Sequence, residues 1–184
     1  MKTENVLDFL LLAGNLKTIP RTGWVESGVE NPESVADHSY RTALTAMLLS
    51  DMEGLDTCRV MLMALLHDLA ESEMGDITPM MKQEDHLEQE NRVMKKILNR
   101  FSEPLRQHYW EVWREYQEKK SPESVLVHDA DKIDMVLQAY EYQQRSPNDK
   151  LDRFWHAMVS PERKNIVEQI KERRKALEKN HKGN

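Results

Sequence analysis

The chain has little of what several fold classes need. Its single cysteine, Cys58, excludes a scaffold of disulfides and favours a reducing, cytoplasmic compartment. Its 6 glycines and rare clusters of β-branched residues leave a composition dominated by helix formers. The longest apolar run, Val60 to Leu66, is too short to cross a membrane, and no basic apolar segment at the start indicates a signal peptide. We therefore expect neither a disulfide-rich secreted domain nor a membrane-bound protein.

Positive charge is also in short supply. The chain has 26 Lys and Arg residues and 32 Asp and Glu residues, which gives a formal net charge of −6. Because phosphate backbones recruit lysine and arginine, this balance argues against a nucleic-acid polymer as a partner. Hydrophobic residues make up 39% of the chain and charged residues 32%, which is polar but above the disordered range. The composition predicts a small cytoplasmic globular protein.

A repeated helix-start signal organises the sequence. A polar residue, a proline and a glutamate follow one another at 31–33, 121–123 and 160–162, an order suited to capping and to the positive end of the helix dipole. The pattern predicts helices near 3–17, 33–52, 56–73, 83–101, 103–119, 122–145 and 161–179, with a short one near 150–158. Loops are predicted at 18–32 and 74–82, and no run alternates with the period of a strand.

These elements predict an all-α fold, a compact helical bundle in a single domain over residues 1–184. The core is expected over about 3–170, followed by a charged C-terminal helix and a frayed tail over 171–184. The helix at 56–73 is apolar on all sides, which places it at the centre of the bundle. Trp110, Trp113 and Tyr116 recur at helical spacing and are interpreted as packing residues.

His67 and Asp68 stand out because they end the most apolar stretch of the chain. Burying a carboxylate without a partner is costly. A bound cation would satisfy both side chains, since imidazole nitrogen and carboxylate oxygen are ordinary ligands of Zn, Mn, Fe or Co. The alternative is a helix end at which His67 contacts a carbonyl and Asp68 contacts a nearby arginine. The dipeptide alone leaves both interpretations open.

Three further residues join this pair in the predicted bundle. His38 lies early in the preceding helix, and a tight turn near Gly54 would bring it to the same end as His67. Asp131 lies on a third helix, and Glu71 projects from the face of His67 one turn further on. Taken singly, each has an ordinary role as a capping, paired or solvated side chain. Together they offer the nitrogen and oxygen ligands that a metal ion with open positions needs.

The chain has further histidines and acidic residues near this set or elsewhere. His128 and Asp129 lie close enough to Asp131 to be rival ligands, and His128 shares a helical face with it and is a candidate to support a ligand from behind. The remaining histidines have no ligand-like neighbours in the sequence: His86, His108, His156 and His181.

The order of these residues resembles the H…HD…D signature of the HD-domain metal-dependent phosphohydrolases. The local contexts resemble the HD-domain 5′-deoxynucleotidases, in the segments 20–24, 33–38, 67–71, 75–77 and 137–142. The match runs from about residue 3 to 170 and keeps the order of the motifs. The resemblance implies a single HD domain that removes the 5′-phosphate from deoxyribonucleoside 5′-monophosphates by attack of metal-bound water. It also implies a homodimer with one divalent metal ion, Mn or Co, with Mg, Fe, Zn and Ni as alternatives.

The same resemblance assigns roles to individual residues. The metal ligands would be His38, His67, Asp68 and Asp131. Glu71 would be the acid/base residue, Arg21 the phosphate clamp, and Asp76 the contact to the sugar 3′-hydroxyl. Trp24 would wall off the place that a ribose 2′-hydroxyl needs. In some members the tryptophan directly follows the arginine, whereas Thr22 and Gly23 intervene here.

The sequence leaves two alternative functions open. One is another HD phosphohydrolase activity, with a nucleoside triphosphate, a cyclic nucleotide or a non-nucleotide phosphate as substrate. The sequence offers one candidate phosphate arginine and no glycine-rich phosphate loop, which argues against triphosphates. The other is a non-catalytic module that binds metal and nucleotide without releasing phosphate. Such a module has no physical need for the additional carboxylate of Glu71.

Overall fold

The described part of the chain, residues 3–182, is built from helices and contains no strand. The structure is a computed structural model, and side chains are described for residues 3–177. The α-helices are α1 (Thr3–Gly14), α2 (Thr22–Glu26), α3 (Val35–Glu53), α4 (Thr57–Leu66), α5 (Glu71–Met74), α6 (His86–Leu98), α7 (Glu103–Glu118), α8 (Pro122–Arg145) and α9 (Lys164–Lys182). Short 3₁₀ helices lie at Asn15–Lys17, Pro79–Met81, Asp149–His156 and Pro161–Arg163. The prediction of an all-α fold is confirmed.

Three helices form the centre of the bundle. α3 packs along both α4 and α8, and α7 closes against α4 and α8. The facing sides of these four helices bury apolar side chains completely, among them Val60, Met63, Val112, Val127 and Val136. Each side chain of this size stabilises the fold by about 1.5–3 kcal/mol when it is fully removed from water. This shared core holds the ends of the three helices in fixed relation to one another.

Both ends of α3 are defined by capping residues. Ser34 caps the helix, because its Oγ accepts from the Asp37 N–H at 3.1 Å while its own N–H donates to Asp37 Oδ2 at 2.9 Å. The sequence signal at 31–33 therefore lies just before the true start at Val35. At the other end Gly54 adopts a left-handed conformation with φ of 69°, which reverses the chain into α4.

The predicted continuous helix at 56–73 is wrong. α4 ends at Leu66, a turn follows, and α5 begins at Glu71. The His67 side chain donates from Nδ1 to the Ala64 carbonyl at 2.6 Å, so it takes a carbonyl that the next turn of an α-helix would use. The turn then continues with tighter bonds, such as Leu69 N–H to Leu66 O at 3.1 Å. α4 lies at the centre of the bundle as expected, but it is not buried on all sides, since Leu65 is 55% exposed.

Two other segments differ from the sequence prediction. The predicted loop at 18–32 contains the short helix α2. The predicted helix at 161–179 opens as a 3₁₀ turn before α9, and α9 continues to Lys182. The expected frayed tail is therefore helical as far as it is described, and its last residues, 183 and 184, lie outside the described part. Over residues 3–182 we find no helix with the length and apolar character needed to cross a membrane.

A buried ionic cluster attaches the start of α9 to the bundle. The guanidinium of Arg163 is 6% exposed and contacts Asp129 Oδ2 at 2.9 Å and Glu53 at the end of α3. Ser160 also donates to Asp129. Asp129 therefore faces α9, and its interpretation as a rival metal ligand is wrong.

Candidate functional site

A pocket of about 340 Å³ opens at the end of the bundle where α4, α7 and α8 meet α2. Its volume lies in the range of small-molecule sites. Its walls include most of the residues that the sequence singled out, namely Arg21, Trp24, His67, Asp68, Glu71, Asp76, His128 and Asp131. Tyr116 and Phe154, which the sequence did not assign to a site, also line it.

A cluster of two histidines and two aspartates lies at this pocket. His38 Nε2 lies 3.2 Å from Asp131 Oδ1 and 3.6 Å from Asp68 Oδ2. His67 Nε2 lies 3.0 Å from the same Asp68 oxygen. One potential ligand atom from each of His38, His67 and Asp68 falls within 4.8 Å of the others. The structure thus brings together the four residues that the sequence proposed as ligands, from α3, from the turn after α4 and from α8.

Both imidazoles are held from behind so that Nε2 points into the cluster. His38 donates from Nδ1 to Asp134 Oδ2 at 2.6 Å, and His67 donates from Nδ1 to the Ala64 carbonyl. Both Nε2 atoms are buried, and neither makes a hydrogen bond among the described residues, because their close contacts with Asp131 and Asp68 lack hydrogen-bond geometry. An orphaned buried nitrogen is costly unless something binds it. The cluster therefore fits a divalent cation, because metal-bound imidazoles characteristically donate their second N–H to a carboxylate or a carbonyl.

The two aspartates of the cluster also favour a divalent cation. Burial would raise the pKa of Asp131, but the contact with His38 outweighs it and lowers the pKa to about 2. Burial likewise opposes ionisation of Asp68, yet His67, Arg21 and His38 hold the pKa of Asp68 far below its usual range. For His38, burial and Arg21 lower the pKa, whereas Asp131 and Asp134 raise it more, to about 10. The two aspartates are therefore ionised at neutral pH and attract a cation.

Asp134 is the site residue that the sequence analysis missed. It is completely buried on α8 and contacts both His38 and the guanidinium of Arg41. Arg41 in turn contacts Glu141 at 2.9 Å, so the Asp134 carboxylate is held between two fixed partners. The available signal was its spacing, since Asp134 follows Asp131 by three positions on α8 and therefore lies on the same helix face.

Replacing Asp134 with asparagine is expected to lower the affinity for a divalent metal about 10- to 100-fold, because His38 loses the carboxylate that orients its ring. Calorimetric titration of the metal-free variant with Mn²⁺ measures this. The matched control is Glu141→Gln, which alters a contact of Arg41 but leaves the Asp134–His38 bond in place. Equal affinity in Asp134→Asn and wild type would contradict this positioning role.

Arg21 reaches the pocket from the residue before α2. Its Nη1 donates to Asp76 Oδ1 at 2.9 Å and lies 3.5 Å from Asp68 Oδ2. Asp76 also accepts from the Thr22 N–H, and its carbonyl accepts from Thr22 Oγ1 at 2.7 Å. Asp76 therefore fixes both the arginine and the start of α2. Both carboxylate oxygens of Asp76 accept hydrogen bonds from protein groups in this structure, a role that the sequence did not predict.

Glu71 begins α5 at the edge of the same pocket. Burial, together with the neighbouring charges of Asp68 and Asp76, raises the pKa of Glu71 to about 10. Its carboxyl group therefore carries a proton at neutral pH. One of its oxygens, Oε2, is buried and has no hydrogen-bond partner among the described residues.

An aromatic wall bounds the pocket beside Arg21. Trp24 is only 2% exposed, and its Nε1 donates to Glu33 Oε1 at 2.9 Å. Phe154 packs on Trp24 with ring centroids 4.1 Å apart, and Tyr142 contacts it edge-on at 5.3 Å. Gly23 gives the Phe154 ring its room, because a Cβ there would lie 3.3 Å from ring carbons. The Thr22-Gly23 insertion is therefore compatible with a fixed tryptophan at the pocket.

His128 and Tyr116 form a stacked pair that supports the cluster. Their rings lie 4.0 Å apart, and His128 donates from Nε2 to the Tyr116 carbonyl at 2.9 Å. Burial lowers the pKa of His128 to about 4, so its imidazole is neutral at pH 7. Tyr116 packs edge-on against His67 with centroids 5.8 Å apart. Tyr116 packs as the sequence predicted, and it also lines the pocket, which the helical spacing did not reveal.

The bundle and its cluster define an all-α protein whose paired histidines and aspartates are suited to a divalent cation. A family model described as HD domain matches residues 13–174. The chain therefore belongs to the HD-domain family.

Named relatives lie close to it in sequence. The chain is 42% identical over 151 residues to the 5′-deoxynucleotidase HDDC2 of Dictyostelium discoideum, covering 77% of this chain and 80% of that protein. It is 43% identical over 143 residues to the human 5′-deoxynucleotidase HDDC2, covering 76% and 69% of the two chains. A solved structure of a conserved hypothetical protein from Pyrococcus furiosus has a TM-score of 0.78 at 36% identity, covering 90% of this chain and 99% of that one.

Proposed function

We propose that the protein is a metal-dependent 5′-deoxynucleotidase that hydrolyses deoxyribonucleoside 5′-monophosphates to deoxynucleosides and phosphate. One observation carries the proposal: two buried imidazole nitrogens that make no hydrogen bond among the described residues lie beside two ionised aspartates, in a pocket that also holds an arginine and a protonated glutamate. The relatives named 5′-deoxynucleotidase support the choice of substrate. A nucleoside triphosphate or a cyclic nucleotide has no corresponding support in these residues.

Four residues would hold the metal ion: His38, His67, Asp68 and Asp131. Their mixed nitrogen and oxygen donors suit Mn or Co, and also Fe, Zn, Ni or Mg. When bound, a divalent ion neutralises phosphoryl charge and lowers the pKa of water in its coordination shell toward about 7. The chain itself contributes the fixed orientation of both imidazoles, through Asp134 and the Ala64 carbonyl.

Arg21 is the proposed phosphate clamp. Its planar guanidinium matches the oxygens of a phosphate better than the point charge of a lysine does. Because Asp76 holds Nη1 on one side, the guanidinium is oriented before the substrate arrives. Asp76 keeps free lone pairs after these contacts, since two carboxylate oxygens accept about four hydrogen bonds. It therefore remains the proposed acceptor for the sugar 3′-hydroxyl.

Glu71 is the proposed general acid. In hydrolysis the bond between phosphorus and the 5′-oxygen breaks while water adds to phosphorus. The leaving 5′-oxygen needs a proton, and Glu71 holds one at neutral pH. Transfer of that proton to the 5′-oxygen releases a neutral deoxynucleoside and leaves Glu71 as a carboxylate. The water that adds to phosphorus gives up one proton, which returns to the Glu71 carboxylate and regenerates the acid, so that phosphate is the second product.

Trp24 and Phe154 are proposed to select the sugar. Their rings present apolar carbon to the pocket, and the indole N–H is already bonded to Glu33. A ribose 2′-hydroxyl pressed against this wall would lose its hydrogen bonds with water and gain none. An apolar wall rejects an added hydroxyl by about 100-fold at most.

A phosphate-release screen over 5′-deoxyribonucleoside and 5′-ribonucleoside monophosphates tests the proposed function. After chelation and reloading with Mn²⁺ or Co²⁺, we expect kcat/KM to favour the deoxy series about 10- to 100-fold. Nucleoside triphosphates and cyclic nucleotides are included as the alternative substrates. Equal rates on both sugar series would contradict the role of the aromatic wall. Micromolar nucleotide binding without phosphate release would instead identify a non-catalytic module.

We further propose that the protein is a cytoplasmic homodimer that pairs through α3. Large apolar side chains recur at every fourth position on its outer face and are exposed: Tyr40 by 70%, Leu44 by 41%, Leu48 by 54% and Met52 by 81%. A continuous apolar stripe of this kind is a common mark of an interface. The unpaired and exposed Cys58 supports a reducing compartment such as the cytoplasm.

The double substitution Leu44→Glu and Leu48→Glu is expected to convert the dimer to a monomer, because like charges would face each other across a two-fold interface. Light scattering during size-exclusion chromatography at about 10 µM protein measures the mass. Leu87→Glu, an exposed leucine on α6, is the matched control and should leave the mass unchanged. A wild-type monomer would contradict the proposed dimer.

A further inference from the structure

A second, small cavity adjoins Glu71. It has a volume of about 10 Å³ and is lined by residues of α5, the segment after it and α6, including Glu71, Gly75, His86 and Glu90. This is about the smallest volume that holds a single water molecule. Glu71 and Glu90 line both this cavity and the main pocket. Glu71 therefore stands in the wall between the two.

Glu71, which lines this cavity, has a carboxyl oxygen without a hydrogen bond in the described part of the chain. Glu71 Oε2 is buried and has no hydrogen-bond partner among the described residues. A water needs two to four polar partners to be stable in such a space, and carboxyl groups on two sides meet that condition. Buried polar atoms that are left without any partner are rare in folded proteins, so a bridging water is the ordinary solution.

Across the cavity, His86 and Glu90 form a fixed pair one turn apart on α6. His86 Nε2 lies 2.8 Å from Glu90 Oε1, and Lys82 Nζ contacts the same oxygen at 3.3 Å. The His86 and Glu90 side chains are only 11% and 15% exposed. His86 has no ligand-like neighbours in the sequence, and neither His86 nor Glu90 has a role in the proposed function.

We propose that one water molecule in this cavity links Glu71 Oε2 to the His86–Glu90 pair, and that His86 and Glu90 are positioning residues for Glu71. The inference rests on the proposed function, in which Glu71 donates a proton to the leaving oxygen. With Oε2 held through the water, the carboxyl plane of Glu71 is fixed relative to the main pocket. Misplacing a reacting group by about 1 Å can cost about 100-fold in rate.

The first test replaces His86 with alanine. We expect kcat to fall about tenfold while KM changes less than about twofold, because the substrate contacts stay intact and only the acid is misplaced. His86→Gln keeps a donor that can reach Glu90 and should restore kcat to within about threefold of wild type. His108→Ala removes an exposed histidine of α7 and is the matched control, with unchanged kcat. Unchanged kcat in His86→Ala would overturn the proposal.

A double-mutant cycle separates positioning from a general loss of structure. If His86 acts through Glu71, adding His86→Ala to the Glu71→Gln enzyme should lower kcat by no more than about twofold further. A full additional tenfold loss would show that His86 acts elsewhere, and would overturn the proposal. Equal melting temperatures of the single variants and wild type exclude partial unfolding as the cause.

A crystal structure of the metal-free protein at a resolution that shows ordered water gives a readout independent of activity. We expect a water within hydrogen-bond distance of Glu71 Oε2, and its loss or displacement in His86→Ala. A dry cavity in the wild type would overturn this inference and leave the proposed function standing. A wild-type enzyme that releases no phosphate from any nucleotide would refute the proposed function, while the presence or absence of the water would still decide the positioning contact.

Discussion

Replacing Glu71 with glutamine is expected to lower kcat for deoxyribonucleoside 5′-monophosphates by about 10²- to 10⁴-fold, the usual contribution of a positioned acid. Glutamine has nearly the same shape but cannot transfer a proton to the 5′-oxygen. The raised pKa of Glu71, to about 10 through burial and the nearby Asp68 and Asp76, is what keeps the wild-type group protonated. Steady-state phosphate release, with the metal content of each preparation measured, gives the comparison.

Glu71→Gln is informative because it should lower kcat without changing metal content or melting temperature. In the described part of the chain, Glu71 makes no hydrogen bond or ion pair with either histidine of the cluster, so metal content and melting temperature should stay at wild-type values. A substrate with a better leaving group, such as p-nitrophenyl phosphate, needs less protonation and should lose far less rate. Glu88→Gln, which changes an exposed glutamate of α6, is the matched control. Equal losses on both substrates would remove Glu71 as the proton donor.

Removing the metal is expected to abolish turnover. After chelation, phosphate release should fall to the rate without enzyme and return on addition of Mn²⁺ or Co²⁺. The His38→Ala and Asp131→Ala variants should regain no activity at metal concentrations that restore wild type, since each loses a donor of the cluster. His108→Ala controls for the loss of a histidine. Full activity in the presence of excess chelator would contradict the account.

The same experiment predicts a stability change that does not depend on activity. A ligand present at about 100 times its Kd stabilises the folded state by about 2.7 kcal/mol. For a protein of this size that corresponds to a rise in Tm of about 5–10 °C. The increase should be absent in His38→Ala, whose cluster lacks one of its two imidazoles. Thermal unfolding of metal-free protein with and without added Mn²⁺ measures it.

The sequence predicted the all-helical order from local pattern, and it predicted the four clustered residues from a motif whose order resembles that of a known family. The helix-start signal preceded α8 as predicted, and the turn at Gly54 brought His38 and His67 to one end of the bundle. The break after α4 was not predictable, since a run of apolar residues carries no sign that the His67 side chain will take the Ala64 carbonyl. That break determines where Glu71 lies.

Contacts between residues far apart in the chain were the second feature that the sequence did not predict. Asp129 and Asp134 look alike in the sequence, yet one binds Arg163 near α9 and the other binds His38 behind the cluster. Which of two aspartates on one helix faces which neighbour depends on how α3 and α9 pack against α8. Asp76 is a similar case, because its contacts with Arg21 and Thr22 join segments 54 and 55 residues apart. Periodicity alone does not reveal such pairings.

The most direct test of the central claim is a crystal structure of the protein soaked in Mn²⁺, with anomalous diffraction used to locate the ion. We predict one strong peak bonded to His38 Nε2, His67 Nε2 and a carboxylate oxygen from each of Asp68 and Asp131. A protein that shows no peak between these four side chains, or a peak held by other residues, would contradict the account.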